Sequence, residues 1–256
     1  MKDFTNKHIV VTGGVKGIGR ATLDVFIREE GNVSVLDIDR EGEKLEKESG
    51  GKVKFYACDV ADYSSVQTSI AHAIEHFGDI DVLVNNAGVN RYASVTETTE
   101  EEWDFVMNVN LKSAFMAARF AIPSMQKKGN GVVVNVSSVQ AFVSQSQVAA
   151  YTTSKTALLG LTRSIAVDYG PQIRCVAVCP GTINTPMLQS AIQESPDPDE
   201  VFKECEDMHL VKKVGDPAEV GEFIAYLSSA KASFITGQSF RIDGGLGVTI
   251  GGSKRD

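Results

Sequence analysis

The feature that most constrains this chain is an alternation of short apolar runs with longer amphipathic stretches, repeated along its length. Apolar runs bounded by turn residues occur at 8–12, 32–36, 53–57, 81–84, 132–136, 173–178 and 239–242. They are apolar nearly throughout rather than at every second position, so both faces of each strand must be covered. Between them, 18–30, 64–77, 101–128 and 149–168 carry apolar residues at helical spacing. This pattern predicts an α/β fold with right-handed crossovers. It is a single Rossmann-type, doubly wound parallel sheet of about seven strands flanked by helices. No composition break or Pro/Ser-rich linker divides the 256 residues, so one domain over 1–256 is expected.

One segment departs from the alternation. Residues 184–214 hold Pro186, Pro196 and Pro198 and an acidic run at 194–200. A long segment after a strand's carboxyl end is where such a fold carries a lid over its ligand crevice. A lid is the expectation, and a solvated surface insertion is the competing reading.

Composition narrows the function classes. A formal net charge of -8 without any Lys/Arg-rich run argues against a nucleic-acid partner. No stretch approaches the ~18 consecutive apolar residues of a membrane span. The first fourteen residues lack the apolar core of a secretory signal, and a cytoplasmic location is expected. Cys58, Cys175, Cys179 and Cys205 lack zinc-site spacing and read as buried reduced thiols. His72 and His76 stand four apart on a predicted helix, but no third ligand lies near them, and no metal site is assigned.

The first strand runs directly into Thr12-Gly13-Gly14-Val15-Lys16-Gly17-Ile18-Gly19 and then a helix. Gly13 permits a tight turn, while Gly17 and Gly19 let the backbone and the helix N-terminus approach a pyrophosphate. The second strand ends at Asp37, followed by Ile38. A carboxylate there accepts hydrogen bonds from the adenosine ribose and repels a 2′-phosphate. A turn-forming Asp is the plainer reading, but a separation of about twenty residues from the glycine turn favours the ribose role. Lys16 and Arg40 pull the other way, because a nearby cation can hold a phosphate. NAD is therefore the preferred cofactor, with NADP as the alternative.

Tyr151 and Lys155 lie four residues apart at the start of a predicted helix and share one face of it. A free phenol, with a pKa of about 10, is a poor base near neutrality. A neighbouring ammonium favours the phenolate and makes it a usable one. Ser138 follows the strand at 132–136, where its hydroxyl can reach a reacting oxygen. Asn110 is a polar amide inside a helical stretch, with no evident local partner.

Together these pieces resemble the short-chain dehydrogenase/reductase family over essentially the whole chain. The matching stretches are TGGVKGIG from Thr12, Asp59-Val60, NNAG from Asn85, Asn110, Ser138, YTTSK from Tyr151, PGTINT from Pro180, and Asp243-Gly244-Gly245. The resemblance implies that Tyr151 is the acid/base. Lys155 would lower its pKa and hold the nicotinamide ribose, Ser138 would polarise the substrate oxygen, and Asn110 would anchor a proton-relaying water. It further implies cofactor contacts from Gly13, Lys16, Gly17, Ile18, Gly19, Asp37 and Ile38. Asp59 and Val60 would flank the adenine, and Asn86, Ala87 and Gly88 would lie along the cofactor. Pro180, Gly181, Ile183 and Thr185 would stand at the nicotinamide end. Thr153 occupies a position where the family often has alanine. The resemblance also implies a homotetramer, built through the helices near 101–128 and 149–168 and the last strand.

The substrate pocket is expected behind Ser138, Gly88 and Pro180. From Gln140 to Gln147 the chain is rich in amides and hydroxyls, and Asn90, Arg91 and Asn184 add more. Around a steroid or acyl chain, each such group buried unpaired would cost ~1–3 kcal/mol. A polyhydroxylated substrate pairs with them, although some of these groups could simply face water. Ser138, Gln140, Gln147, Tyr151 and Asn184 are the candidate substrate contacts. SSVQA from Ser137, RCVAVCPGTINTP from Arg174 and ASFITG from Ala232 are similar to stretches of the family's aldose 1-dehydrogenases, which oxidise a pyranose to its lactone. A 3-oxoacyl-carrier-protein reductase is the main alternative. It would need a basic docking patch, for which Lys127, Lys128 and Arg119 are available. Other polyols, diols and hydroxysteroids also remain open. A cofactor-binding sensor without turnover is disfavoured by the intact Asn110, Ser138, Tyr151 and Lys155.

Overall fold

The computed structural model describes residues 3–248. Its strands are β1 (His8–Thr12), β2 (Asn32–Asp37), β3 (Val53–Ala57), β4 (Val82–Asn85), β5 (Gly131–Val136), β6 (Ile173–Pro180) and β7 (Ser239–Ile242). They form one parallel sheet in the order β3-β2-β1-β4-β5-β6-β7. β1, β4 and β5 are buried at every position, whereas the edge strand β7 is half-exposed. Strand order reverses between β1 and β4, and a crevice opens at such a point beyond the carboxyl ends. Thr12 pairs with Leu36 and with Asn85, so β1, β2 and β4 end at one level beneath that crevice.

Successive side chains of a strand point to opposite faces, and this divides the core in two. Val11, Val35, Val84 and Val134 pack with Leu23 and Phe26 of α1 (Gly17–Arg28) and with Ile224 and Leu227 of α9 (Pro217–Ser228). Their neighbours Val10, Leu36, Leu83 and Val133 face the other layer, α3 (Tyr63–Phe77), α5 (Ser113–Lys128) and α6 (Ala149–Tyr169). Each large side chain fully buried there contributes about 1.5–3 kcal/mol.

The predicted helix at 101–128 is not continuous. α4 (Glu100–Met107), opened by a capping box between Thr99 and Glu102, runs into a π-helical turn at Asn108–Lys112 before α5 begins. The short α2 (Gly42–Glu48) and α9 lie outside the stretches read as helical from sequence. α9 carries a start signal all the same: Asp216 caps it, Pro217 opens it and Glu219 reaches back. Residues 184–214 are largely ordered into α7 (Pro186–Gln193) and α8 (Pro198–Asp207). Pro186 and Pro198 begin these helices, at the position where a missing N–H does no harm. The four cysteines are buried and unbonded to one another. No described helix is long and apolar enough to cross a membrane.

Candidate active site

The glycine turn after β1 sits against the segment after β4. Gly13 has φ +64°, and a Cβ there would stand 2.9 Å from the Ala87 Cα. A Cβ on Gly19 would collide with the Gly13 carbonyl. Asn86 ties the two segments together, donating from Nδ2 to the carbonyls of Thr12 (3.1 Å) and Gly13 (2.8 Å). The Thr12 hydroxyl in turn accepts from the amides of Asn86 and Ala87. At the start of α1, Lys16 makes no side-chain cap and the first turn holds no acid. The opening amides of the helix are therefore left for an anion, which is the chemistry a pyrophosphate requires.

Asp37 closes the other end of this crevice. Its Oδ2 accepts from the Val15 amide and its Oδ1 from the Asp39 amide, both at 3.0 Å. Ile38 beside it is 72% exposed, an apolar surface fit for a flat aromatic ring. The two cations that favour a phosphate are both engaged. Lys16 reaches Asp39 at 2.6 Å and Arg40 reaches Glu43 at 3.0 Å. The Lys16–Asp39 bond raises the lysine pKa and lowers that of the carboxyl. Asp59 folds back on the Ala61 amide (2.9 Å), and Val60 is buried beside it.

Tyr151, Lys155, Ser138 and Asn110 converge beyond the ends of β4 and β5. Ser138 accepts from the Gln140 amide at 3.1 Å, and its hydroxyl acts on the Tyr151 phenol. Asn110 sits in the π turn, 2% exposed. Its Oδ1 accepts from the Val89 amide (2.8 Å), while Nδ2 donates to the Val89 carbonyl (2.9 Å) and the Ser154 hydroxyl (3.0 Å). Ser154 donates onward to the Tyr151 carbonyl, so this amide fastens the segment after β4 to the first turn of α6. Lys155 donates to the Val136 carbonyl at 2.9 Å, and its Nζ lies 5.7 Å from the centre of the Tyr151 ring.

The expected drop in the Tyr151 pKa does not appear in this structure. Burial raises the phenol, opposed by the Ser138 hydroxyl and reinforced by Tyr92. Burial also pulls Lys155 down to about 8. Desolvation works against both charged forms, and no direct bond joins the two groups to offset it.

On the substrate side, Gln140 is bonded to Gln145 (3.1 Å) and accepts from the Thr152 hydroxyl (3.3 Å). Gln147 is exposed in the left-handed region (φ 59°), with its carbonyl accepting from the Ala93 amide. Asn184 accepts from Gln189 at 2.7 Å. The wall is less uniformly polar than the sequence suggested, because Phe142, Val143 and Tyr92 are all substantially exposed. Tyr92 was missed by sequence reading; its only signal was its place four residues after Gly88. Pro180 ends β6, and Gly181 bonds to the Ile242 carbonyl. Ile183 is buried and bridged to Gly215, and Thr185 caps α7 with its side chain against Gly17. The loop at 180–185 thus touches the glycine turn after β1.

Residues 13–247 match a family model described as enoyl-(acyl carrier protein) reductase. The chain is similar to the oxidoreductase UcpA of Salmonella typhimurium, with 40% identity over 252 residues and 96% of each chain covered. It is 37% identical over 245 residues to the 3-oxoacyl-[acyl-carrier-protein] reductase FabG of Thermotoga maritima, covering 94% of this chain and 97% of that protein. Among solved structures, the aldohexose dehydrogenase AldT of Thermoplasma acidophilum superposes with a TM-score of 0.92 at 38% identity. That match covers 100% of this chain and 99% of the other.

Proposed function

Because the chain belongs to the short-chain dehydrogenase/reductase family, an oxidoreductase family using NAD or NADP, we propose that it uses NAD to oxidise an aldose to its lactone. The observation that carries the sugar reading is Gln140, whose backbone amide bonds the Ser138 hydroxyl. Its side-chain amide is held only by a surface glutamine and a threonine hydroxyl, partners that a sugar hydroxyl can replace. The similarity to an aldohexose dehydrogenase over the whole chain supports it. The choice of NAD rests on Asp37 and on the engagement of Lys16 and Arg40 by acids.

Gly13, Gly17, Gly19 and Asp37 would hold the nicotinamide cofactor, which would supply the hydride acceptor. The chain's own residues manage the proton. Ser138 directs its hydroxyl at the substrate oxygen, and Tyr151, ionised as its phenolate, takes the proton from that oxygen and becomes the neutral phenol. Lys155, its Nζ 5.7 Å from the ring centre, shares the helical face of the phenol, while the group that opposes burial at that phenol is the Ser138 hydroxyl. Asn110 holds the Val89 backbone and α6 in register so that these groups keep their spacing. Residues 184–214, with α7 and α8, form the lid in this reading. Exposed Phe105, Phe115 and Val167 on α4–α6 favour assembly through those helices, as a homotetramer.

The test is NAD reduction across a broad aldose panel, set against cyclohexanol and against reduction of a 3-oxoacyl thioester. The sugar reading predicts that a free aldose is the best substrate. It is lost if no aldose exceeds cyclohexanol. A far higher kcat/KM with the thioester would put the carrier-protein reading first, in line with the similarity to FabG.

A further inference from the structure

A buried histidine outside the proposed chemistry closes the base of the 184–214 segment. His209 follows α8 and is 2% exposed. Each of its ring nitrogens meets a partner with a single role. Nδ1 lies 2.7 Å from the Cys205 carbonyl, which can only accept, and Nε2 lies 3.2 Å from the Thr182 amide, which can only donate. The imidazole is therefore neutral, with its proton on Nδ1 and the Nε2 lone pair aimed at Thr182.

Thr182 lies in the loop at 180–185, and packing alone does not hold that loop. A cavity of about 150 Å³ adjoins it, lined by Thr182, Ile183, His209, Val211 and Gly215 among others. Backbone bonds secure the neighbouring residues: the Gly181 amide to the Ile242 carbonyl (3.0 Å), the Gly215 amide to the Thr182 carbonyl (2.9 Å) and the Asn184 amide to the Gly215 carbonyl (2.9 Å). The Thr182 amide is bonded instead by the His209 side chain. Neighbouring charged groups are engaged elsewhere. Lys213 and Glu219 pair with each other at 2.7 Å, and the Asp243 carboxylate accepts from the Gly245 and Gly247 amides.

From this geometry we propose that His209 is a positioning residue. By accepting from the Thr182 amide it sets Ile183 and Thr185 at the nicotinamide end and couples that loop to the end of the lid. The inference rests on the reading that residues 180–185 face the nicotinamide. An amide stripped of its acceptor beside a cavity shifts the loop, which weakens cofactor binding more than it slows chemistry.

The test compares wild type, His209→Gln and His209→Leu as full chains. Glutamine keeps an acceptor within reach of the amide, and leucine keeps bulk without one. Hydrogen exchange over residues 180–185, measured without added cofactor, reads the bond itself; KM for NAD and kcat read its consequence. The leucine variant should lose protection at this loop. Its KM for NAD should rise about tenfold, the factor that 1.4 kcal/mol carries, with kcat held within about twofold. The glutamine variant should resemble wild type in both. Wild-type protection in His209→Leu overturns the inference whatever the protein's function. Lost protection with an unchanged KM for NAD overturns the positioning role. If no variant, wild type included, binds a nicotinamide cofactor, the functional reading fails and the role falls with it, while the exchange data still report the bond. Should His209→Leu not fold, ¹⁵N imidazole spectra of the wild type decide. A proton on Nε2 of His209 sinks the proposal.

Discussion

Replacing Asp37 by alanine should do two things at once, and the structure separates them. A carboxylate facing a 2′-phosphate at about 4 Å is disfavoured by about 1 kcal/mol per charge pair in water, and by about 4 at the effective dielectric of a protein surface. Lys16 and Arg40 do not relieve this, being held by Asp39 and Glu43. The wild-type protein should therefore favour NAD over NADP by at least about tenfold in kcat/KM. Asp37→Ala removes the repulsion and should narrow that ratio. It also strips the acceptor from the amides of Val15 and Asp39, which brace the glycine turn and the start of the β2–α2 connection. Losing two bonds to a charged acceptor, with water replacing part of each, should cost about 2 kcal/mol, or about thirtyfold in NAD efficiency. The assay is steady-state kinetics with both cofactors at two ionic strengths. Salt should compress the wild-type ratio, because the repulsion is screened while the backbone bonds are not. A wild-type preference for NADP, or an equal fall with both cofactors in Asp37→Ala, would refute the reasoning.

Tyr151→Phe should lose roughly 10²–10⁴-fold in kcat while still quenching or shifting NADH fluorescence on binding; more than about a tenth of wild-type turnover counts against the base assignment. Asn110→Ala, which deletes three hydrogen bonds of a buried amide, should cost about 2 kcal/mol in urea unfolding and lower kcat as well. A loss under about 0.5 kcal/mol would mean the π turn holds itself without that amide. Burial lowers the pKa of His8 from 6.5 to about 4, so the folded state resists a proton that the unfolded chain accepts. Its contribution is whole above pH 6.5 and is lost as pH falls towards about 4. The dependence of urea midpoint on pH should flatten in His8→Gln, and an unchanged slope would exclude this histidine as the source. Gln140→Leu should raise KM for the sugar and leave NAD affinity nearly unchanged; a parallel rise in the NAD constant would point to a general collapse of the loop.

What the residues alone determine here is what covalent geometry and local burial impose. A strand covered on both faces must be largely apolar, and the run at 8–12 is β1 to the residue; the runs at 53–57 and 239–242 match β3 and β7, the partly exposed edge strands. A turn with positive φ pressed against Ala87 needs glycine, and the tight turn at Gly13 was readable from the sequence. Four-residue spacing put Tyr151 and Lys155 on one helical face. Other features depended on partners far along the chain. The break at Asn108–Lys112 was invisible to periodicity, because Asn110 bonds to Val89 and Ser154 across the fold. Whether Lys16 and Arg40 attract a phosphate depended on which acids the turns bring to them. Tyr92 and His209 gained their places only when the segments after β4 and β6 closed on α6 and α8. The charge state of the Tyr151–Lys155 pair was the furthest from the sequence. Spacing can set two groups side by side, but burial and the 5.7 Å between them decide how far each pKa moves, and both belong to the folded chain.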